Sequence, residues 1–409
     1  MSGETLRSAK TRERMPLVLS EGFRFFFLAG PVFGIVAIAI WLGWLGIHAA
    51  GAVLTAVPFA PPPHQWHAHE MIYGYGAAVM AGFFLTAVPN WTGTAPARSI
   101  YIAAVAALWL VARVAILFSA TLPAALVAIV DLVFVPVLGL KILSNLLVRP
   151  KPQNMMFLGL LALMLVGNLA VHLDWAGLWA GAAAGGNRLG LLTLAALIAI
   201  LGGRVTPAFT RNALNRGDGS VKLPVSHQRL DQAGIASAIA LAVLVPLDLD
   251  ARLLGAVALL AGLANFARLA GWRGMAVLRM PILWSLHLGF ALLALGYLAL
   301  AAHYFGSPIG EASALHMLAV GAIGTMTLAV MSRAALGHTG RPLVVARPIA
   351  VAYVLVALAG VVRSFGLVIA PDHYYAVMFA AGGLWMAAFG LFTFIYLPVL
   401  VAPRADAPR

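Results

Sequence analysis

The chain has 409 residues, 62% of them hydrophobic and 10% charged, with a mean hydropathy of +0.96, a composition that excludes an ordinary soluble domain. The net charge of +13 would suggest nucleic acid in a soluble protein, but the basic residues sit in short loops between apolar runs, so no nucleic-acid partner is expected and they read as topology signals and lipid-headgroup contacts. The absence of cysteine excludes disulfides, thiolate-ligated haem, cysteine-held iron–sulfur clusters and thiol nucleophiles, leaving His, Met, Tyr and carboxylates as ligands.

The first 22 residues are polar and basic (Arg7, Lys10, Arg12, Arg14) without a small-residue cleavage site, and read as a cytoplasmic tail. Twelve apolar runs of about 20 residues follow, near 25–48, 66–89, 99–119, 122–147, 154–173, 187–208, 231–247, 252–270, 281–303, 312–334, 348–370 and 374–400. The expectation is an all-α polytopic membrane protein. With the amino terminus inside, every Lys and Arg except Arg113, Arg188, Arg252 and Arg363 falls on the inner side, which puts both termini in the cytoplasm. His48, His64, His67, His69, His172, His303, His316 and His373 then lie at or near the outer face, and His227, His287 and His338 lie inward.

The densest histidine cluster opens the second helix, at His64-Gln-Trp-His67-Ala-His69-Glu70-Met71. Ligating side chains at a helix–membrane boundary point to function, here a metal or haem site on the outer face, against the plain reading of interfacial histidines bonded to loops and headgroups. Glu70 is three residues from His67 and is a candidate acceptor for holding an imidazole tautomer. Arg113, on the third helix, needs an anionic partner: a haem propionate, or Asp174, Glu311 or Asp372. Asp131, mid-span on the fourth helix, pairs with Arg113 or relays protons. Farther along, Arg204 and Arg333 at inner helix ends either bind an anion or anchor those ends, His287 reads as a satisfied core histidine, and Arg363 repeats the problem of Arg113 on the eleventh helix.

The chain also repeats itself. A shift of 247 residues superposes His69 on His316, Gly74 on Gly321, Thr92 on Thr339 and Gly93 on Gly340, and a shift of 250 superposes Arg113 on Arg363. A shift of 118 places Asn187 under His69, Pro207 under Pro89 and Thr210 under Thr92. One domain, 1–409, built of three parallel four-helix units near 17–149, 150–278 and 279–403, accounts for these matches. His69 and His316, on symmetry-related helices at equal depth, are then the candidate axial ligands of one haem or ligands of two nearby metals, with Asn187 offering no third. His64, His67, His172, His303 and His373 remain for copper, His67 first among them because it shares the outer entrance with His69.

Three separated motifs carry a family resemblance. Trp66-His67-Ala68-His69-Glu70-Met71 with Ala87-Val88-Pro89-Asn90-Trp91-Thr92-Gly93, Gly202-Gly203-Arg204-Val205-Thr206-Pro207-Ala208-Phe209-Thr210, and the stretch from Gly324 to Arg333 followed by Gly337-His338-Thr339-Gly340-Arg341 resemble the NnrS family of bacterial membrane proteins. The resemblance covers essentially the whole chain. It implies twelve helices in the bacterial inner membrane, haem of b type, copper, and a role in nitric oxide metabolism, denitrification and nitrosative stress. Haem–copper oxidases and nitric oxide reductases offer a more distant analogy, with haem histidines on their second and tenth helices, although the sixth and seventh helices here lack the histidines that hold those enzymes' second metal.

The leading expectation is therefore binding or reduction of nitric oxide at an outer haem and copper site, with a quinol or a periplasmic protein as electron donor. A secondary transporter of a small anion or metal complex, with Arg204 and Arg333 as substrate contacts, stays open beside it. So does a non-catalytic haem protein that buffers or senses nitric oxide.

Overall fold

The computed structural model describes residues 15–54, 56–215 and 222–406, whose regular secondary structure is all helical, with no strand among them. Arg7, Lys10, Arg12, Arg14, Arg216 and Arg409, six of the residues assigned to the inner side, lie outside the described residues. Twelve helices are long and apolar enough to cross a membrane: α1 (Gly22–Ala49), α2 (Pro63–Thr92), α3 (Ser99–Leu117), α4 (Ala124–Leu146), α5 (Pro152–Trp175), α6 (Ala182–Leu214), α7 (Gln228–Leu247), α8 (Ala251–Ala270), α9 (Pro281–Tyr304), α10 (Glu311–His338), α11 (Arg347–Ile369) and α12 (Tyr374–Val401). An apolar solvent leaves the backbone no partner but itself, so a helical span is the form these runs must take.

Burial sorts the helices into an inner and an outer set. In the most apolar stretch of α2, α6, α9 and α10, 78%, 83%, 72% and 67% of residues are buried, against 33–44% in the other eight, so these four form the centre. α6 packs on α2, α9 and α10, while α12 returns to pack on α1 and closes the outer ring. The outer helices present Leu, Val, Ile and Phe outward, among them Ile100, Ile129, Val351 and Phe394, as a lipid-facing wall requires.

Two local features of the central helices recur in register. α2 loosens into a π-helical turn over Glu70–Gly76, and α10 does the same over Met317–Gly324. Each turn begins at the residue after a histidine, His69 in one and His316 in the other. Both helices then end alike: Thr92 and Thr339 donate to carbonyls four residues back, and Gly93 and Gly340 follow with the same left-handed φ of 69°. That backbone conformation is one only glycine adopts without steric cost, and it is a common way to end a helix. α6 runs as an uninterrupted α-helix past Asn187.

Candidate functional site

α2 starts at Pro63, after two further prolines, because proline at the first helical position forfeits no hydrogen bond. The start places His64, His67, His69 and Glu70 in the first two turns, at one end of the bundle. His67 and His69 are two residues apart, so their side chains leave the helix in directions about 200° apart. They enter different clusters.

His69 turns toward α3, α4 and α5 and is fully buried. Its Nδ1 lies 2.9 Å from Glu70 Oε1, and its Nε2 lies 2.9 Å from Asn168 Oδ1 and 3.2 Å from Asp131 Oδ2. His172 Nε2 reaches the same Asp131 oxygen at 3.0 Å, and Asn168 Nδ2 donates to it at 2.7 Å. Arg113 closes the group by pairing with both Glu70 and Asp131. Trp175 packs against both imidazoles, at ring-centroid distances of 4.9 and 5.4 Å, and is held by a 2.9 Å bond from its Nε1 to Gln65.

The acceptors in this cluster are crowded. With Nδ1–H of His69 donating to Glu70, the Nε2 lone pair faces two oxygens, which is repulsive unless a positive charge lies among them. One guanidinium set against two ionised carboxylates also leaves one negative charge uncompensated. A second proton on His69 satisfies both needs, and so does a metal ion. His69, Asp131 and His172 each offer a ligand atom, all within 4.8 Å of one another. Their Nε2–Oδ2 separations of 3.2 and 3.0 Å approach the ~3.3 Å edge of a tetrahedron with ~2.0 Å metal bonds. Two imidazoles and a carboxylate, one imidazole backed by a second carboxylate, make a donor set that fits a metal.

The close packing that builds this cluster depends on glycine. A Cβ on Gly167 of α5 would stand 2.5 Å from the Tyr73 hydroxyl and 2.8 Å from the Gly186 carbonyl of α6. Tyr73, one turn below His69 with ring centroids 5.1 Å apart, donates to that same carbonyl at 2.6 Å. The absence of two side chains lets α5 and α6 touch and fixes the floor beneath His69.

His67 turns the other way, toward α1, α10 and α11. Its ring stacks on Trp41 at 4.9 Å and 15°, and its Nδ1 is buried without a hydrogen-bond partner. His316 and Arg363 lie near His67, so the three share one neighbourhood. His316 Nδ1 donates to the Ala312 carbonyl at 2.6 Å, which directs the Nε2 lone pair outward, the arrangement of a ligating imidazole.

Arg363 has lost what its counterpart Arg113 has. Under the 247-residue shift Glu70 becomes Met317, and under the 250-residue shift Asp131 becomes Ala381. Among the described residues no carboxylate pairs with Arg363, whereas Arg113 has two. A half-buried guanidinium near two imidazoles, one with an orphaned nitrogen, suits an anionic metal-containing ligand such as haem, whose propionates need a cation.

The structure thus groups the expected residues differently from the sequence expectation. His316 shares its neighbourhood with His67, and His69 stands with His172. Glu70 is the acceptor for His69, not for His67. Arg113 finds Asp131 and Glu70; Asp174 instead accepts from the Ala183 backbone, and Glu311 pairs with Arg188 at 2.6 Å. His64 and His373 are exposed, and His303 Nδ1 donates to the Ile309 carbonyl at 3.2 Å. Toward the opposite end of the bundle, the Arg333 guanidinium lies 3.8 Å above the Phe209 ring, and His287 meets the Thr210 hydroxyl at 2.9 Å while its Nδ1 has no hydrogen-bond partner. Asn168, Tyr73, Trp41 and Trp175 were not foreseen. Asn168 and His172 had a legible signal, a polar pair four apart on one face of an apolar helix.

The model of one protein family, described as NnrS protein, matches residues 17–404. A search of curated proteins finds no match.

Proposed function

The chain belongs to the NnrS family, and from that premise we propose that it is a multi-pass protein of the bacterial inner membrane that holds haem and copper near its outer face and binds or reduces nitric oxide there. What carries the reading is that the outer histidines form two clusters of different chemistry. His67, His316 and Arg363 would hold haem: two imidazoles for the iron and a cation without a protein counterion for a propionate. His69, Asp131 and His172 would hold copper, which imidazole suits. Bound there, the two groups would supply one-electron chemistry and an affinity for a diatomic ligand.

The protein's own part is derived from its side chains. Glu70, by accepting from His69 Nδ1, keeps the Nε2 lone pair directed at Asp131 and His172. Arg113 stabilises both carboxylates in their charged form inside the bilayer, where an unpaired carboxylate is costly. Trp41 stacks face to face on His67, and Trp175 packs tilted against His69 and edge-on against His172, so each limits how the imidazoles it touches can turn. Electrons come from a quinol or a periplasmic donor.

Purification tests the reading directly. The expected product is a coloured protein containing both haem and copper, whose Soret band shifts when nitric oxide is added to the reduced form. A sample isolated from haem- and copper-replete cells with neither group would remove the reading and favour transport of a small anion. Consumption of nitric oxide with an electron donor separates turnover from buffering.

A further inference from the structure

At the end of the bundle opposite the histidine clusters, cations collect without counter-charges. From Met71 to Gly217 the sequence holds two carboxylates, Asp131 and Asp174, and both are engaged elsewhere, with Arg113 and with the Ala183 backbone. A pocket of about 400 Å³ opens there between the start of α5 and the far ends of α2 and α6. Trp91, Lys151, Gln153, Asn154 and Arg204 line it beside two apolar residues of α6, and no Asp or Glu does.

The polar groups of this pocket are held in place and largely unspent. Arg204 is half-buried, donates once, to the Gln153 carbonyl at 3.0 Å, and lies 5.5 Å from the centroid of the Phe157 ring, which stacks on Trp91 at 5.3 Å and 28°. The carbonyl and the ring fix the guanidinium, while its Nε and Nη1 meet no acceptor among the described residues. Asn154 is only 7% exposed, yet its amide makes no hydrogen bond among the described residues, and it lines the pocket. An amide so buried and uncommitted needs a partner in the space it borders. α5 also begins here: Lys151 is its N-cap without a side-chain capping bond, Pro152 follows, and the Gln153 N–H has no backbone acceptor among the described residues. The positive end of the helix therefore borders the same space.

We propose that this pocket binds a phosphate-bearing ligand, its phosphoryl oxygens held by Arg204, Lys151 and Asn154 at the start of α5. A guanidinium edge, an ammonium, an amide and a helix start offer more donors than the two oxygens of a carboxylate can use, and they suit the three outer oxygens of a phosphate ester. The volume is more than a bare phosphate fills and falls within the ~300–1,000 Å³ range of small-molecule sites, so the esterified group has room as well. Arg333, expected beside Arg204 as an anion contact, does not line the pocket. A soluble phosphate ester and a phospholipid headgroup share this chemistry. The site lies apart from both histidine clusters, and neither haem nor copper enters its test.

The test uses the purified full chain, delipidated in a non-ionic detergent, with binding read by titration calorimetry and native mass spectrometry. The probes are glycerol 1-phosphate, dioctanoylphosphatidylglycerol, dioctanoylglycerol and, at matched ionic strength, acetate. The expected result is one phosphate-bearing molecule bound per chain, with dioctanoylglycerol and acetate far weaker. Comparable affinity for the two phosphate probes would identify a soluble ester as the source, and a large preference for the lipid a membrane headgroup; either supports the site. Arg204→Gln should weaken both phosphate probes about tenfold or more, and Arg204→Lys, which keeps the charge but loses the flat two-nitrogen edge, should weaken them less. Arg347→Gln, at an exposed position on α11 outside the pocket, should leave them unchanged. The comparison among probes needs only the unaltered chain, whatever the variants' yields. No binding of either phosphate probe, equal affinity for dioctanoylglycerol or acetate, or an equal loss in Arg347→Gln and Arg204→Gln would each overturn the proposal.

Discussion

At the level of single residues, the histidine end of the bundle turns on what each buried charge finds. Arg113 is the one guanidinium on two buried carboxylates, so Arg113→Ala should leave both without it and destabilise the protein by about 3–5 kcal/mol, read as a fall in the denaturation midpoint in detergent. Arg363 has no carboxylate to abandon, so Arg363→Gln should leave that midpoint within about 1 kcal/mol of wild type while lowering haem occupancy. A larger loss of stability from Arg363→Gln than from Arg113→Ala would contradict the assignment of one arginine to the protein and the other to a ligand. The repeat made His69 and His316 legible as equivalent positions, and the run His64 to Glu70 made the outer site legible as a whole. Which imidazole faces which partner was not legible, because it depends on where α5 and α11 lie around α2. Asp131 was visible as a mid-span carboxylate, but its role as the acceptor shared by His69, Asn168 and His172 appears only once α4 and α5 are packed together.

Among the elements, the paired π-helical turns are the feature that hydropathy could not foresee. An apolar run scores the same whether its carbonyls are taken up four or five residues on. Such turns recur at functional sites because they free backbone groups and turn a side chain, and here each follows directly on a histidine assigned to a cofactor. The glycine floor gives a test at this scale. Gly167→Ala drives a methyl into Tyr73 and the Gly186 carbonyl, whereas a methyl on Gly159 of the same helix meets nothing within 4 Å. Gly167→Ala should lower copper retention after dialysis against a mild chelator, and Gly159→Ala should not. Equal retention by the two would show that the α5–α6 contact does not set the geometry of the His69 cluster. Helix ends were legible only approximately: the expected span 187–208 extends to Ala182–Leu214, because apolar windows stop at Asn187 and Thr210 while the helix continues into the interface.

For the whole molecule, the number of spans and their all-helical form follow from composition and length, since 62% hydrophobic residues divided by short basic loops leave no other architecture. The orientation rests on where Arg and Lys fall. It predicts that a fluorescent protein fused after the last residue folds and glows while a periplasm-dependent phosphatase fused at the same point stays inactive; an active phosphatase there would invert the topology and move both histidine clusters to the inner face. The three-unit arrangement is proposed on the same footing. Its first and third units carry the equivalent histidines His69 and His316, each followed by a π turn, and the equivalent arginines Arg113 and Arg363, whereas the middle unit has Asn187 at the histidine position and an unbroken α6.

The central claim is that two cofactors occupy two separable histidine clusters, and the most direct measurement is haem and copper content, by Soret absorbance and elemental analysis, in purified His316→Ala and His172→Ala proteins. The predicted result is a double dissociation: His316→Ala loses or alters the haem spectrum and keeps its copper, while His172→Ala loses copper and keeps an unchanged Soret band. Loss of haem in His69→Ala with full haem in His67→Ala, or retention of both cofactors in both of the first two variants, would contradict it.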